Sequence, residues 1–341
     1  MKYLHAHTVS SHDVRYAYAV GRIRALETRL LGKQRLDRLA EGRDVDEVVR
    51  LLADTIYATH IEELEDHGHQ VFLRNEEARL LDLVDSLSLD RETSDILRLR
   101  HDYHNLKVAV REQVSDRDLG HLYVPLGRFE FEMVREALKT ETLDALPEPL
   151  IGPAQEALEV YSKSQDLGQV DTVIDKQMFA RFRTVADDYE GVFIGAIVRT
   201  WIDLADIRTF MRARYFGLET RSLPEMVIEG GALRLADFAE TFALPLDEVL
   251  QRFAFSPYRQ VIERGGGGLD REDSFVPLER AMDEYMASFL RLARYFTFGL
   301  EVVLAYALRK ESEIRALRLI FAAKDSGLAA DTIKERTGDV E

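Results

Sequence analysis

Cysteine is absent from the 341-residue sequence. That excludes disulfide frameworks, thiolate metal sites and cysteine nucleophiles, and it fits a reducing compartment. Basic residues are outnumbered, 45 Lys and Arg against 61 Asp and Glu, for a formal net charge of -16. A nucleic-acid surface draws its affinity from clustered Lys and Arg, so this balance argues against one. It equally disfavours docking on anionic lipid head groups. Long apolar runs are also missing. A bilayer-spanning helix needs about 20 apolar residues. The nearest stretches are 192–204, broken by Arg199 and Asp203, and 295–308, broken by Glu301; both read as buried helices. The start, Met1-Lys2-Tyr3-Leu4-His5, has no apolar signal-peptide core. Proline is scarce, and Ala, Leu, Glu and Arg dominate, the residues that lose least on entering a helix.

What is present is helical periodicity. Val45, Val48, Val49, Leu52 and Ile56 fall on one helical face, behind Asp44 with Glu47 three residues on, the arrangement of an N-terminal cap. A second face is Ile96, Leu99, Tyr103, Leu106 and Val110, and a third is Phe193, Ile197, Thr200, Leu204, Ile207 and Met211. No comparable stretch alternates strictly, so the expected fold class is all-α. Breaks fall at Pro147 and Pro149, at Gly230-Gly231, and at Gly265 to Gly268. The four glycines are expected to form a mobile loop, because glycine loses the most backbone entropy on ordering. They are not a phosphate-cradling loop: Leu269-Asp270-Arg271-Glu272 follows, with no Lys-Ser/Thr pair.

Internal repetition is the most informative feature. Asp102-Tyr103-His104-Asn105-Leu106-Lys107 returns 101 residues later as Asp203-Leu204-Ala205-Asp206-Ile207-Arg208. It returns again around Glu311-Ser312-Glu313-Ile314-Arg315, where Lys310 takes the place of Asp102 and Glu311 carries the acidic position one place late. Glu313 lies 107 residues after Asp206. The first two copies are followed by a turn and a short helix, at Gly127-Arg128-Phe129 and Gly231-Ala232-Leu233. Three pseudo-symmetric helical repeats are therefore expected, over 1–146, 147–264 and 265–341, the last completed by neighbouring helices.

Three stretches also carry a family resemblance. Tyr18-Ala19-Val20-Gly21-Arg22-Ile23-Arg24 resembles a Tyr-x-Asn-Ala-Arg-Val-Arg opening helix, with Val20 where the pattern has Asn. Arg100-His101-Asp102-Tyr103-His104-Asn105-Leu106 is similar to an Arg-x-Asp-x-His-Asn-Leu helix. Leu304-Ala305-Tyr306 through Lys310-Glu311-Ser312-Glu313 looks like a closing Leu-Ala-Tyr-x-x-x-Lys/Arg-Glu-x-Glu segment. The family is that of the C subunits of rotary V-type and archaeal or bacterial A/V-type ATPases, known as d subunits in eukaryotic enzymes. The resemblance implies a funnel-shaped socket that receives the rotor-shaft subunits D and F and rests on the membrane proteolipid ring. Such a protein is non-catalytic, carries no cofactor, and sits in the cytoplasm at the membrane periphery. It couples nucleotide-driven rotation to H+ or Na+ transport. The motif positions Tyr18, Arg22, Arg24, Asp102, Asn105, Asp203, Asp206 and Glu311 are expected to be structural or interface residues.

Other chemistry is weighed beside it. All nine histidines lie at or before His121, yet none has a Glu three positions before it, as a paired Glu-x-x-His metal bundle requires. His5, His7 and His12 lie in a His-rich leader that the family pattern lacks. Carboxylates at i, i+3 share a helix face and suit acid-base work if buried. Their repetition favours helix positioning instead, through pairs such as Asp102 with Arg98 or Lys107, and Asp203 with Arg199 or Arg208. Trp201 reads as core. Arg22 and Arg24 point to different sides of the opening helix, and one of them faces a partner or an acidic pocket. The alternatives to the rotor reading are a helical-repeat scaffold for another helical partner and, further off, a helical metalloenzyme.

Overall fold

The computed structural model describes residues 13–189 and 191–337. The His-rich leader with His5, His7 and His12 lies outside them. Among the described residues there are helices and no strands, as the periodicity predicts. The chain divides into two compact units: Met1–Asp90 with Ala243–Glu341, and Arg91–Phe242.

The first unit contains Ala17–Glu27 (α1), Lys33–Glu41 (α2), Val45–Leu52 (α3) and Ile61–Leu87 (α4), the last interrupted at Gly68, whose φ is 78°. The second contains Arg91–Ser94 (α5), Ile96–Ser115 (α6), Phe131–Lys139 (α7), Glu148–Ser164 (α8), Leu167–Asp188 (α9), Val192–Tyr215 (α10), Leu223–Met226 (α11) and Leu235–Thr241 (α12). Leu246–Arg252 (α13), Arg259–Glu272 (α14), Val276–Leu290 (α15), Leu300–Asp325 (α16) and Ala330–Thr337 (α17) complete the first unit.

In the first unit α16 is the centre, packed by α1, α2, α3, α4, α15 and α17. It is buried on every side from Leu300 to Leu308, Glu301 included, the signature of a core helix. In the second unit α9 is flanked by α6, α8 and α10. The faces read from sequence are the buried ones: Ile96, Leu99, Tyr103, Leu106 and Val110 on α6, and Phe193, Ile197, Thr200, Leu204, Ile207 and Met211 on α10. The cap of α3 forms as expected, with Asp44 Oδ1 accepting from the Glu47 amide at 2.9 Å.

Of two punctuation signals, the prolines mark a helix start and the glycine run does not break the chain. Pro147 is the N-cap of α8 and Pro149 lies in its first turn, where a missing N–H costs nothing. Gly265 to Gly268 are not a loop but part of α14. Packing overrides propensity here: a Cβ on Gly265 would meet Leu278 Cδ1 at 2.6 Å, one on Gly268 would meet Pro277 Cγ at 2.6 Å, and one on Gly266 would collide with Leu246. Bare backbone lets α13 and α15 close on α14, and that burial offsets roughly 1 kcal/mol per glycine of lost helix propensity.

Candidate functional site

On α6, Asp102 and Asn105 lie one turn apart on the same side, each 2% exposed. Buried polar atoms require partners, and here they are main-chain groups. Asp102 Oδ1 accepts from the amides of Arg128 at 2.8 Å and Phe129 at 3.1 Å. Asn105 Oδ1 accepts from the Val124 amide at 3.0 Å, and its Nδ2 donates to the Val124 carbonyl at 2.9 Å. The loop leading into α7 is thus fastened at both ends to α6. Gly127 sits between the two points, and a Cβ there would overlap Asp102 Oδ1.

The same construction occurs on α10, where Asp203 and Asp206 have no exposed surface. Asp203 Oδ1 accepts from the Leu233 amide at 2.9 Å and Asp206 Oδ1 from the Ile228 amide at 2.8 Å. This fastens the loop leading into α12. Gly231 again occupies the gap, with a Cβ there overlapping Asp203 Oδ1. The repeated acids therefore hold loop amides on both helices. Lys107 reaches Asp175 on α9 at 2.5 Å, and Arg111 pairs with Asp171 on the same helix. Arg98 donates to the Leu126 carbonyl at 3.3 Å, in the loop itself.

Burial shifts the acids. Desolvation pushes Asp102 up to about 6, against the pull of the Arg128 and Phe129 amides. Asp206 is pushed up to about 8, above all by desolvation, with the charge of Asp203 adding to it. The Oδ2 atoms of Asp102 and Asp206 are buried without a hydrogen-bond partner among the described residues. Protonation removes an unsatisfied buried charge at that atom.

On α16 the corresponding place is held by other chemistry. Lys310 and Glu313 lie 107 residues after Asp203 and Asp206. Glu313 Oε2 accepts from the Leu31 amide at 2.5 Å, in the turn between α1 and α2. Its Oε1 accepts from the Tyr57 hydroxyl at 2.6 Å and from Lys310 Nζ at 2.5 Å, and Lys310 also reaches the Tyr57 oxygen at 2.9 Å. All three side chains are buried, and burial beside Glu313 raises Tyr57 well above the ordinary tyrosine range. Glu313 fastens a backbone segment, and Glu311 is buried on the same helix. Sequence reasoning misses Tyr57 because its partners stand 256 and 253 residues away. The available hint is a Lys and a Glu one turn apart that follow the apolar run 302–308.

The opening-helix residues divide as their spacing requires. Arg24 turns inward, donating to the carbonyls of Ala293 and Phe296 at 3.0 Å each and to Glu27 at 2.8 Å. Tyr18 is 76% exposed and Arg22 is exposed with it. Val20, where the family pattern has Asn, is buried. Trp201 is half-buried against Phe182, with the Arg100 guanidinium 5.5 Å from its ring centroid. His69 stacks on Phe321 at 5.0 Å, and His104 meets the Leu122 carbonyl at 3.0 Å. Among the described residues no group of three or more His, Asp or Glu side chains is placed to hold a metal ion. None of their helices is long and apolar enough to cross a membrane.

Comparison with known proteins gives this arrangement a context. The chain is 24% identical over 322 residues to the C subunit of the V-type sodium ATPase of Enterococcus hirae, covering 93% of this chain and 96% of that protein. It is 26% identical over 339 residues to the C subunit of the A-type ATP synthase of Desulfurococcus sp., covering 95% and 91%. It is 24% identical over 340 residues to the C subunit of the A-type ATP synthase of Methanocaldococcus jannaschii, covering 94% and 85%. The profile of the family described as ATP synthase (C/AC39) subunit matches residues 19–336, and the chain belongs to that family.

Proposed function

We propose that the chain is a non-catalytic central-rotor subunit of a V/A-type rotary ATPase. It receives the shaft subunits D and F and rests on the membrane proteolipid ring from the cytoplasmic side, so that rotation passes between ATP turnover and H+ or Na+ transport. The observation that carries this reading is the family match over residues 19–336, joined to relatives that are each a C subunit and are matched nearly end to end. The three repeats, over 1–146, 147–264 and 265–341, belong to the same proposal. They are supported by the loop-fastening pairs on α6, α10 and α16, and by the reach of the last back to Leu31. Three similar helical units around an axis offer a central rod similar surfaces, which suits a funnel-shaped socket. Large apolar burial under a polar rim would hold the shaft against slipping.

The test is recovery and binding. ATPase complexes solubilised from native membranes should contain this chain together with head, shaft and ring subunits. The purified chain should bind purified D and F at micromolar concentration or tighter. A chain that never accompanies membranes and does not bind D and F in that range would end the rotor reading and leave the scaffold reading in its place.

A further inference from the structure

The opening helix presents an exposed face that nothing among the described residues covers. One tight helical turn, Val14–Tyr16, leads into α1. Along its outer side Val14, Tyr18, Gly21, Ala25 and Thr28 follow one another at alternating steps of four and three, the spacing of a coiled-coil seam. All five are exposed, Val14 at 66% and Tyr18 at 76%. The opposite side, with Ala19, Val20 and Ile23, is the one buried against α16.

Gly21 is the telling residue. A glycine inside a helix weakens it, and at Gly265, Gly266 and Gly268 neighbouring side chains fill the space a Cβ would need. At Gly21 no described residue lies within 4 Å of that position. The shallow place between Tyr18 and Ala25 therefore serves no packing among the described residues, but it allows close approach by another helix.

Charge names the partner. Arg15, Arg22 and Arg29 recur every seven residues along one flank of the seam, the place where coiled coils carry the charges that select a partner. Arg15 is engaged by Asp13. Arg22 and Arg29 are exposed, and neither has an ion-pair partner among the described residues. In a chain of net charge -16, an exposed apolar seam edged only by arginine on one flank is complementary to an acidic helix.

We infer that the Val14–Thr28 face docks an acidic amphipathic helix of another subunit, laid along the seam with Tyr18 and Ala25 against its apolar side and Glu or Asp residues on Arg22 and Arg29. The inference rests on the rotor reading for where that helix comes from. It deepens the reading by assigning one contact surface.

The absence of cysteine makes the test clean. The full-length chain carrying Ala25→Cys is assembled into the solubilised ATPase complex and labelled with a maleimide, then, in a second sample, with a benzophenone photocrosslinker. Labelling should slow at least tenfold on assembly, and the crosslink should map to an acidic helix of a partner subunit. Arg22→Glu with Arg29→Glu should lower incorporation at least tenfold while leaving the thermal melt unchanged, and Arg22→Lys should restore most of it. Equal labelling rates in the free and assembled chain overturn the inference. So does a crosslink to a second copy of this chain, to its own residues 1–12, or to lipid. A wild-type chain that fails to enter the complex at all overturns the rotor reading and the inference together. A variant that assembles with its introduced thiol unprotected overturns the inference alone.

Discussion

Asn105 and Asp206 stand 101 residues apart, project from different helices, and hold equivalent loops with different chemistry. Asn105 is neutral and makes two bonds, accepting from the Val124 amide and donating to its carbonyl. Asp206 accepts from the Ile228 amide, leaves Oδ2 buried without a partner among the described residues, and is pushed up to about 8. The difference teaches that both positions need an acceptor for a loop amide, while Asn105 also donates to a loop carbonyl. Asn is neutral at any pH, and a buried Asp is neutral only when protonated. On α16 the pair is replaced by a buried Lys310–Glu313–Tyr57 network, in which the charge is retained and answered by an opposite charge. The three helices thus satisfy a buried backbone segment by three different means, and each means fails in its own way.

The largest expected effect lies in the charged version. Lys310→Ala leaves Glu313 buried beside Tyr57 without its cation, which costs about 3–5 kcal/mol of stability in urea unfolding. Replacing both, as Lys310→Met with Glu313→Leu, recovers much of the loss if solvation of the charges was the cost. It also leaves the Leu31 amide without its acceptor, so recovery should be incomplete by about 1–3 kcal/mol. A Lys310→Ala variant within about 0.5 kcal/mol of wild type, the range of an ordinary surface change, would show that the network is not what fastens Leu31.

Next come the glycines. Gly127→Ala and Gly231→Ala each push a Cβ onto the carboxylate oxygen that holds the loop. Overpacking of that kind costs about 1–3 kcal/mol. The paired variants Gly127→Ala with Asp102→Ala, and Gly231→Ala with Asp203→Ala, should cost less than the sum of their single changes, because the clash and the bond share one atom. Strict additivity at either site would separate the glycine from the acid and break the comparison.

The pH test addresses Asp206 itself. Its folded value of about 8 lies above the unfolded value of about 3.9. The folded state therefore holds a proton that the unfolded state releases. This contribution is greatest below about pH 4 and is lost as pH rises through 8, by roughly 1.4 kcal/mol per pH unit at most. Asp102, pushed up to about 6, behaves likewise over a lower window, so the Asp206 contribution is read between pH 6 and 8 as the difference between wild type and Asp206→Asn. Across that window Asp206→Asn should flatten the stability curve relative to wild type, and Asn105→Asp should steepen it. Parallel curves for wild type and Asp206→Asn would mean that Asp206 is ionised throughout and that its Oδ2 is solvated in the folded protein.

Much of this is legible in the sequence, for physical reasons that also set the limit. Periodicity reports which face of α6 or α10 is buried, because burial of apolar area is local information written at 3.6-residue spacing. The 101-residue recurrence reports that two helices are alike, and it marks Asp102, Asn105, Asp203 and Asp206 as positioning residues. It does not report what they hold, since the Arg128 and Leu233 amides are main-chain groups that any residue carries. Glu311 outranks Glu313 in the sequence pattern because the partners of Glu313, Leu31 and Tyr57, lie at the far end of the chain. The glycines of α14 mislead because entropy is a property of the isolated segment, whereas Leu246, Pro277 and Leu278 belong to other helices.

The smallest expected effect sharpens what remains of the difference between the two loops. His104 meets the Leu122 carbonyl at 3.0 Å, just before the Val124 that Asn105 holds. The residue 101 places later is Ala205, so the α10 copy has no such tie. His104→Ala makes the first copy like the second at this point. The site is exposed and the bond is a single one to a carbonyl, so the loss should be about 0.5–1 kcal/mol. Hydrogen exchange localises it: the Val124 amide, held by Asn105, should stay protected, while the residues around Leu122 exchange faster. If Val124 loosens as well, the histidine and the asparagine act as one clamp, and the first loop is fastened more cooperatively than the second.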